Sequence, residues 1–107
     1  MDLTDQDALD FQSDVLSRVS ETEANGVVID ITALNVVDSF MAHVLSDTAN
    51  MARLLGTEVV VCGMQPSVAL TLTEMGRKLI GAETALNLEQ GLDKVRRLMG
   101  QKGAGLG

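Results

Sequence analysis

Val27-Val28-Ile29-Asp30-Ile31 is a β-branched run too short for a helix, and it is apolar on both of its alternating faces except at Asp30. A strand of that kind is covered by helices on both sides, as in a parallel sheet. Glu58-Val59-Val60-Val61-Cys62 repeats the pattern, and parallel neighbours need a helical crossover between them. From Phe40 to Leu55, the residues Met41, Val44, Leu45, Thr48, Met51, Ala52 and Leu55 recur at helical spacing, and Gly56 follows where a left-handed cap is wanted. The crossover helix is therefore expected to start at Asp38-Ser39.

Upstream, from about Asp5 to Glu21, Ala8, Phe11, Val15 and Val19 with Leu16 form one helical stripe. Thr4 is placed to cap that helix, and Asp5 and Asp7 suit its positive end. Downstream, Gly63-Met64-Gln65 reads as a turn and Pro66 as the first position of a third helix. Val68, Leu72, Met75 and Leu79 line its inner face and Thr71, Glu74 and Lys78 its outer face, so Thr71 is expected to face solvent. A short last strand is expected around Thr84–Leu88, then a helix carrying Leu92, Val95, Leu98 and Met99. The order α-β-α-β-α-β-α is that of an α/β fold with a small, mostly parallel sheet and four helices. Residues 1–99 read as one domain and residues 100–107, glycine-rich and without periodicity, as a disordered tail.

Composition narrows the function classes. Eight Lys and Arg stand against 15 Asp and Glu, a net charge of −7, which repels nucleic acid and anionic membranes. Aromatics are Phe11 and Phe40 alone, leaving little to stack on bases. One cysteine, Cys62, and one histidine, His43, allow neither an internal disulfide nor a Cys/His zinc set; Cys62 reads as a small core residue. No apolar run is long enough to span a bilayer and the acidic start lacks the basic end of a signal peptide, so a cytoplasmic location is expected. Neither GxxxxGK[ST], GxGxxG nor G-x-S-x-G occurs. No catalytic residue, metal or cofactor is therefore assigned from the motifs.

Asp38-Ser39 is the feature that stands out. Ser39 lies at a strand-to-helix junction where its hydroxyl can simply cap the helix. Beside it, Phe40 and His43 share a helical face with Asp47, outside the core stripe, and His43 is spaced to pair with Asp47. Asp38, Phe40, His43 and Asp47 are the candidate partner-binding residues. Asp30 with Asp38 also allows a receiver-like phospho-acceptor reading, against which stands the lack of a lysine after the last strand. Arg96-Arg97 near the end of the last helix reads as a solvated face.

Gly26-Val-Val-Ile-Asp-Ile-Thr32, Val36-Val-Asp-Ser-Phe40, Leu55-Gly-Thr-Glu-Val-Val60 and Gly63-Met-Gln-Pro-Ser-Val-Ala-Leu-Thr71 together resemble the STAS domain family, most of all the RsbS-type scaffold branch of the bacterial stressosome. The likeness runs from about Leu3 to Arg97. It implies a non-enzymatic scaffold that assembles with paralogous STAS-domain sensor proteins into a large hetero-oligomer and sequesters a serine/threonine switch kinase. Phosphorylation of the serine in Asp-Ser-Phe, here Ser39, releases the kinase, and a phosphatase resets the system. Thr71 occupies about the place of a second modified residue in the sensor paralogues. An anti-sigma-factor antagonist that binds an anti-sigma kinase directly shares the fold and the serine. Members usually open with two strands before the first helix, whereas this chain begins almost at that helix, so the opening strands are expected to be missing and a sheet edge uncovered.

Overall fold

The β-branched runs pair in parallel. In the computed structural model, which describes residues 4–75 and 82–104, Val27, Val28 and Ile29 of β1 (Gly26–Asp30) lie beside Val59, Val60 and Val61 of β2 (Glu58–Cys62). β3 (Ala82–Ala85) pairs in parallel along the other side of β2, giving the order β1-β2-β3. Helices α1 (Asp5–Thr22), α2 (Ser39–Leu54), α3 (Pro66–Glu74) and α4 (Leu88–Ala104) complete the α/β fold. Lys78, Leu79 and residues 105–107, on which parts of the expected third helix and tail fall, lie outside the described residues.

Strand alternation divides the layers. Ile29, Val59 and Val61 join Ala42, Leu45 and Ala49 of α2 and Val68 and Leu72 of α3 in one buried cluster. Two right-handed crossovers stepping in the same direction put both connecting helices on one face, as found here. The opposite face belongs to α4, whose Gly91 sits over Val28 and Cys62. The middle strand, covered on both sides, holds Val59, Val60, Val61 and Cys62 at no more than 1% exposure, each valine contributing about 1.5–3 kcal/mol by burial. α1 lies over α2, where Gln12 donates to the Thr48 hydroxyl. Its start is fixed by a capping box, Asp7 N–H to Thr4 Oγ1 and Thr4 N–H to the Asp7 carboxylate.

Several expectations are corrected. The buried face of α2 is turned toward Ala42 and Ala49, while Met51 and Leu55 are exposed. Val44, Leu45, Thr48 and Ala52 are buried as the stripe predicts, and Ala42 and Ala49, which it omits, let the helix approach the valines of the sheet. β3 ends at Ala85 instead of Leu88 because the Asn87 side chain accepts the Gln90 N–H and so opens α4. α4 continues through Gly100 to Ala104, so the helix runs into the stretch expected as tail; Gly100 and Gly103 there cost about 1 kcal/mol each in a helix anchored by its earlier turns. Thr71 is half-buried rather than fully solvent-facing, and its hydroxyl turns back to the Ser67 carbonyl.

Candidate functional site

Between β1 and α2 the chain runs through residues 31–38 with little regular backbone pairing. Ile31 N–H still reaches the Cys62 carbonyl at 2.9 Å, and Leu34 N–H closes a turn onto the Ile31 carbonyl. Asp30 accepts both the amide and the hydroxyl of Thr32. The Thr32 hydroxyl, and then its amide, hold the Asp30 carboxyl below the ordinary carboxylate range by favouring its charged form. Val37 is the loop's buried anchor, at 4% exposure.

The loop ends in the helix start foreseen from the sequence, with a different division of labour. Asp38 is the N-cap, accepting the Met41 N–H at 2.8 Å. Ser39 is the first helical residue and exposed, so the cap role expected for it belongs to its neighbour. Among the described residues no hydrogen bond engages the Ser39 hydroxyl. Four residues apart on α2, His43 Nε2 lies 2.9 Å from an Asp47 carboxylate oxygen, the pairing their spacing predicts. Phe40, expected to be exposed, is half-buried. Ser39, His43 and Asp47 therefore form a polar line along α2, beginning at its positive end.

The β2–α3 turn closes on the same loop. Gly63, at φ +74°, leaves room for Thr32: a Cβ there would lie 2.0 Å from the Thr32 hydroxyl oxygen. Gln65 Nε2 donates to the Thr32 carbonyl at 3.1 Å, and the Ser67 hydroxyl donates to the Asn35 carbonyl. Sequence reading did not find these partners. Glutamine and serine at a helix start are ordinary, and nothing in the order of residues shows that carbonyls more than 30 positions upstream receive them.

Asp30 and Asp38 are each occupied locally, by Thr32 and by the Met41 amide, so they do not present a free carboxylate pair. Burial pushes the Cys62 thiol up, with the Asp30 charge adding to it; Cys62 is a protonated core residue. Among the described residues no group of three or more His, Cys, Asp or Glu side chains could hold a metal ion, and no helix is long and apolar enough to cross a membrane.

A parallel three-stranded sheet whose first crossover helix opens on Asp-Ser-Phe can be set beside known proteins. The STAS domain family profile matches residues 1–90. The chain belongs to the STAS domain family. This STAS domain is 45% identical to an RsbS from Moorella thermoacetica carrying a serine-to-glutamate exchange, over 92% of this chain and 85% of that one, with a TM-score of 0.79. A chain in the solved architecture of the stressosome, described as a signal integration and transduction hub, is 47% identical, covering 85% of this chain and 79% of its own, with a TM-score of 0.74. The RsbT co-antagonist protein RsbRA of Bacillus subtilis (strain 168) is 31% identical over 98 residues, 84% of this chain. The STAS domain spans 36% of RsbRA and 28% of the related RsbRD. Its likeness is thus to the RsbS-type STAS proteins of the stressosome.

Proposed function

We propose that this chain is a non-enzymatic phospho-switch scaffold of a cytoplasmic stress-signalling complex, which holds a serine/threonine switch kinase and releases it when Ser39 is phosphorylated. The observation that carries the reading is the Ser39 hydroxyl, exposed at the start of α2 with the capping role taken by Asp38. A hydroxyl needed as a cap would be lost to its helix on modification; this one is available. In the step, Ser39 Oγ forms a bond to the γ-phosphorus of ATP, the bond to the β,γ-bridging oxygen breaks, ADP leaves and the hydroxyl proton goes to a base of the kinase.

The phosphate adds about −1.5 to −2 charges. The start of α2 favours it by about 0.3–1 kcal/mol, whereas Asp38 opposes it by about 1 kcal/mol at an assumed separation of about 6 Å in water. Folding is nearly indifferent to the balance. Binding is not, because a partner pressed onto the dianion strips its water at a cost of several kcal/mol unless cations receive it, and no Lys or Arg occurs from Val27 to Ala52. Phe40, His43 and Asp47 flank the serine as the contact surface. Paralogous STAS-domain sensors supply the rest of the assembly, a phosphatase resets it, and Thr71 is a second candidate acceptor.

Incubation with the switch kinase of the source organism and ATP, followed by phosphosite mapping, tests the reading. Phosphate is expected on Ser39, with Ser39→Ala retaining the kinase and Ser39→Asp binding it more weakly at unchanged melting temperature. Equal kinase affinity for wild type, both variants and the phosphorylated form overturns the switch.

A further inference from the structure

Polar side chains at the start of a helix ordinarily serve the free N–H groups of that helix. α3 departs from this. Its N-cap, Gln65, makes no side-chain capping bond, and its amide donates instead to the Thr32 carbonyl. Ser67, one residue past Pro66, donates its hydroxyl to the Asn35 carbonyl. Both groups are thus used on the loop that leads to Ser39, and they reach two of its carbonyls that no backbone hydrogen bond engages among the described residues. Asn35 stands four residues before Ser39 and is itself exposed, as is Val36, at 85%. Between the turn that ends at Leu34 and the buried Val37, the Ser67 hydroxyl is the one side-chain tether from outside the loop among the described residues. The carbonyl of Ser67 in turn accepts the Thr71 hydroxyl at 3.1 Å, so one residue joins α3 to the approach of α2.

We propose that Ser67, assisted by Gln65, is a positioning residue that fixes the 31–38 loop and so sets how Ser39 is presented to its kinase. This rests on the reading of Ser39 as the phospho-acceptor. A kinase needs the attacking oxygen in line with the transferred phosphoryl group, and displacement by about an ångström is enough to slow such a step markedly. Removing the Ser67 hydroxyl frees the Asn35 carbonyl to water at an exposed site, so the fold persists while the loop opens more often.

The full-length chain is compared as wild type, Ser67→Ala, Ser67→Thr and Gln65→Leu by amide hydrogen exchange and by Ser39 phosphorylation kinetics. Ser67→Ala is expected to speed exchange at residues 32–38 by about threefold to tenfold, the range that one hydrogen bond of ordinary net strength controls. The kcat/KM for Ser39 phosphorylation falls by a similar factor, exchange in β2 is unchanged, and Ser67→Thr, which keeps the hydroxyl, restores both readouts. Gln65→Leu acts in the same direction and serves if Ser67→Ala fails to fold. Unchanged loop exchange in both deletion variants overturns the proposal, as does faster exchange with unaltered phosphorylation kinetics. If wild-type Ser39 accepts no phosphate, the scaffold-switch reading falls instead, and the presentation of Ser39 falls with it, while exchange alone still decides whether Ser67 holds the loop.

Discussion

Gly63 shows how much of the site depends on one absent side chain. At φ +74° any other residue is strained, and a Cβ would also meet the Asp30 carboxylate at 2.9 Å as well as the Thr32 hydroxyl. Gly63→Ala is expected to lower stability by about 1–3 kcal/mol and to push Thr32 off Asp30; urea unfolding of the variant measures the loss. Asp30 gives the matching prediction in pH. Its carboxyl is held below the ordinary value in the folded chain by the two Thr32 bonds, so the folded state favours the carboxylate. That contribution is complete above the unfolded-state value of about 3.9 and is lost as pH falls through the lower folded value. Asp30→Asn is therefore expected to be less stable than wild type at neutral pH, with the gap narrowing below about pH 4. A constant gap across urea titrations at several pH values would show that the charge is not what Thr32 holds.

At the scale of elements, what was legible followed from residues whose local chemistry agrees with their packing. Two β-branched runs became β1 and β2, Thr4 capped α1, Pro66 opened α3 and Gly56 adopted φ +91° just past α2. β3 was misplaced because Ala82-Glu83-Thr84-Ala85 has no pattern of its own; it is a strand through backbone pairing with β2. Leu86 and Leu88 attracted the reading by hydrophobicity, yet they are 77% and 46% exposed. The serine was found and the cap misassigned, since Asp38 and Ser39 are equally good caps and only the turn's geometry chooses between them. Seating of α4 was invisible for the same reason, as it turns on a glycine. A Cβ on Gly91 would stand 3.1 Å from Val28 and 3.3 Å from the Cys62 Cβ. Gly91→Ala asks those neighbours to give a few tenths of an ångström while gaining about 1 kcal/mol of helix propensity, so little net change is expected. Gly91→Val lacks that relief and drives a branched side chain into the sheet, at an expected cost of about 1–3 kcal/mol or more. Thermal melts of the pair check this; equal melting temperatures would mean that α4 stands further from the sheet than described.

The molecule as a whole leaves much apolar surface unspent. Among the described residues β1 pairs only with β2, so its outer edge is free. Near its end, a groove of about 270 Å³ lies between α1, α2 and the loop, walled by Phe11, Ile31, Leu34, Met41 and Leu45. Leu54 and Val36 are 87% and 85% exposed. Free strand edges and apolar surface both favour association, while the net charge of −7 makes copies of this chain repel one another beyond contact range. The two effects favour a partner that covers apolar surface without adding the same charge. On the proposed scaffold reading, light scattering is expected to find the chain alone in small species and the chain mixed with a paralogous STAS-domain sensor in an assembly many times the mass of either. Added salt, with a screening length of about 8 Å at physiological ionic strength, should narrow that difference by weakening self-repulsion. A monomer that persists in every mixture and at every ionic strength would sink the scaffold reading, because the exposed edge and leucines would then be tolerated by solvent alone.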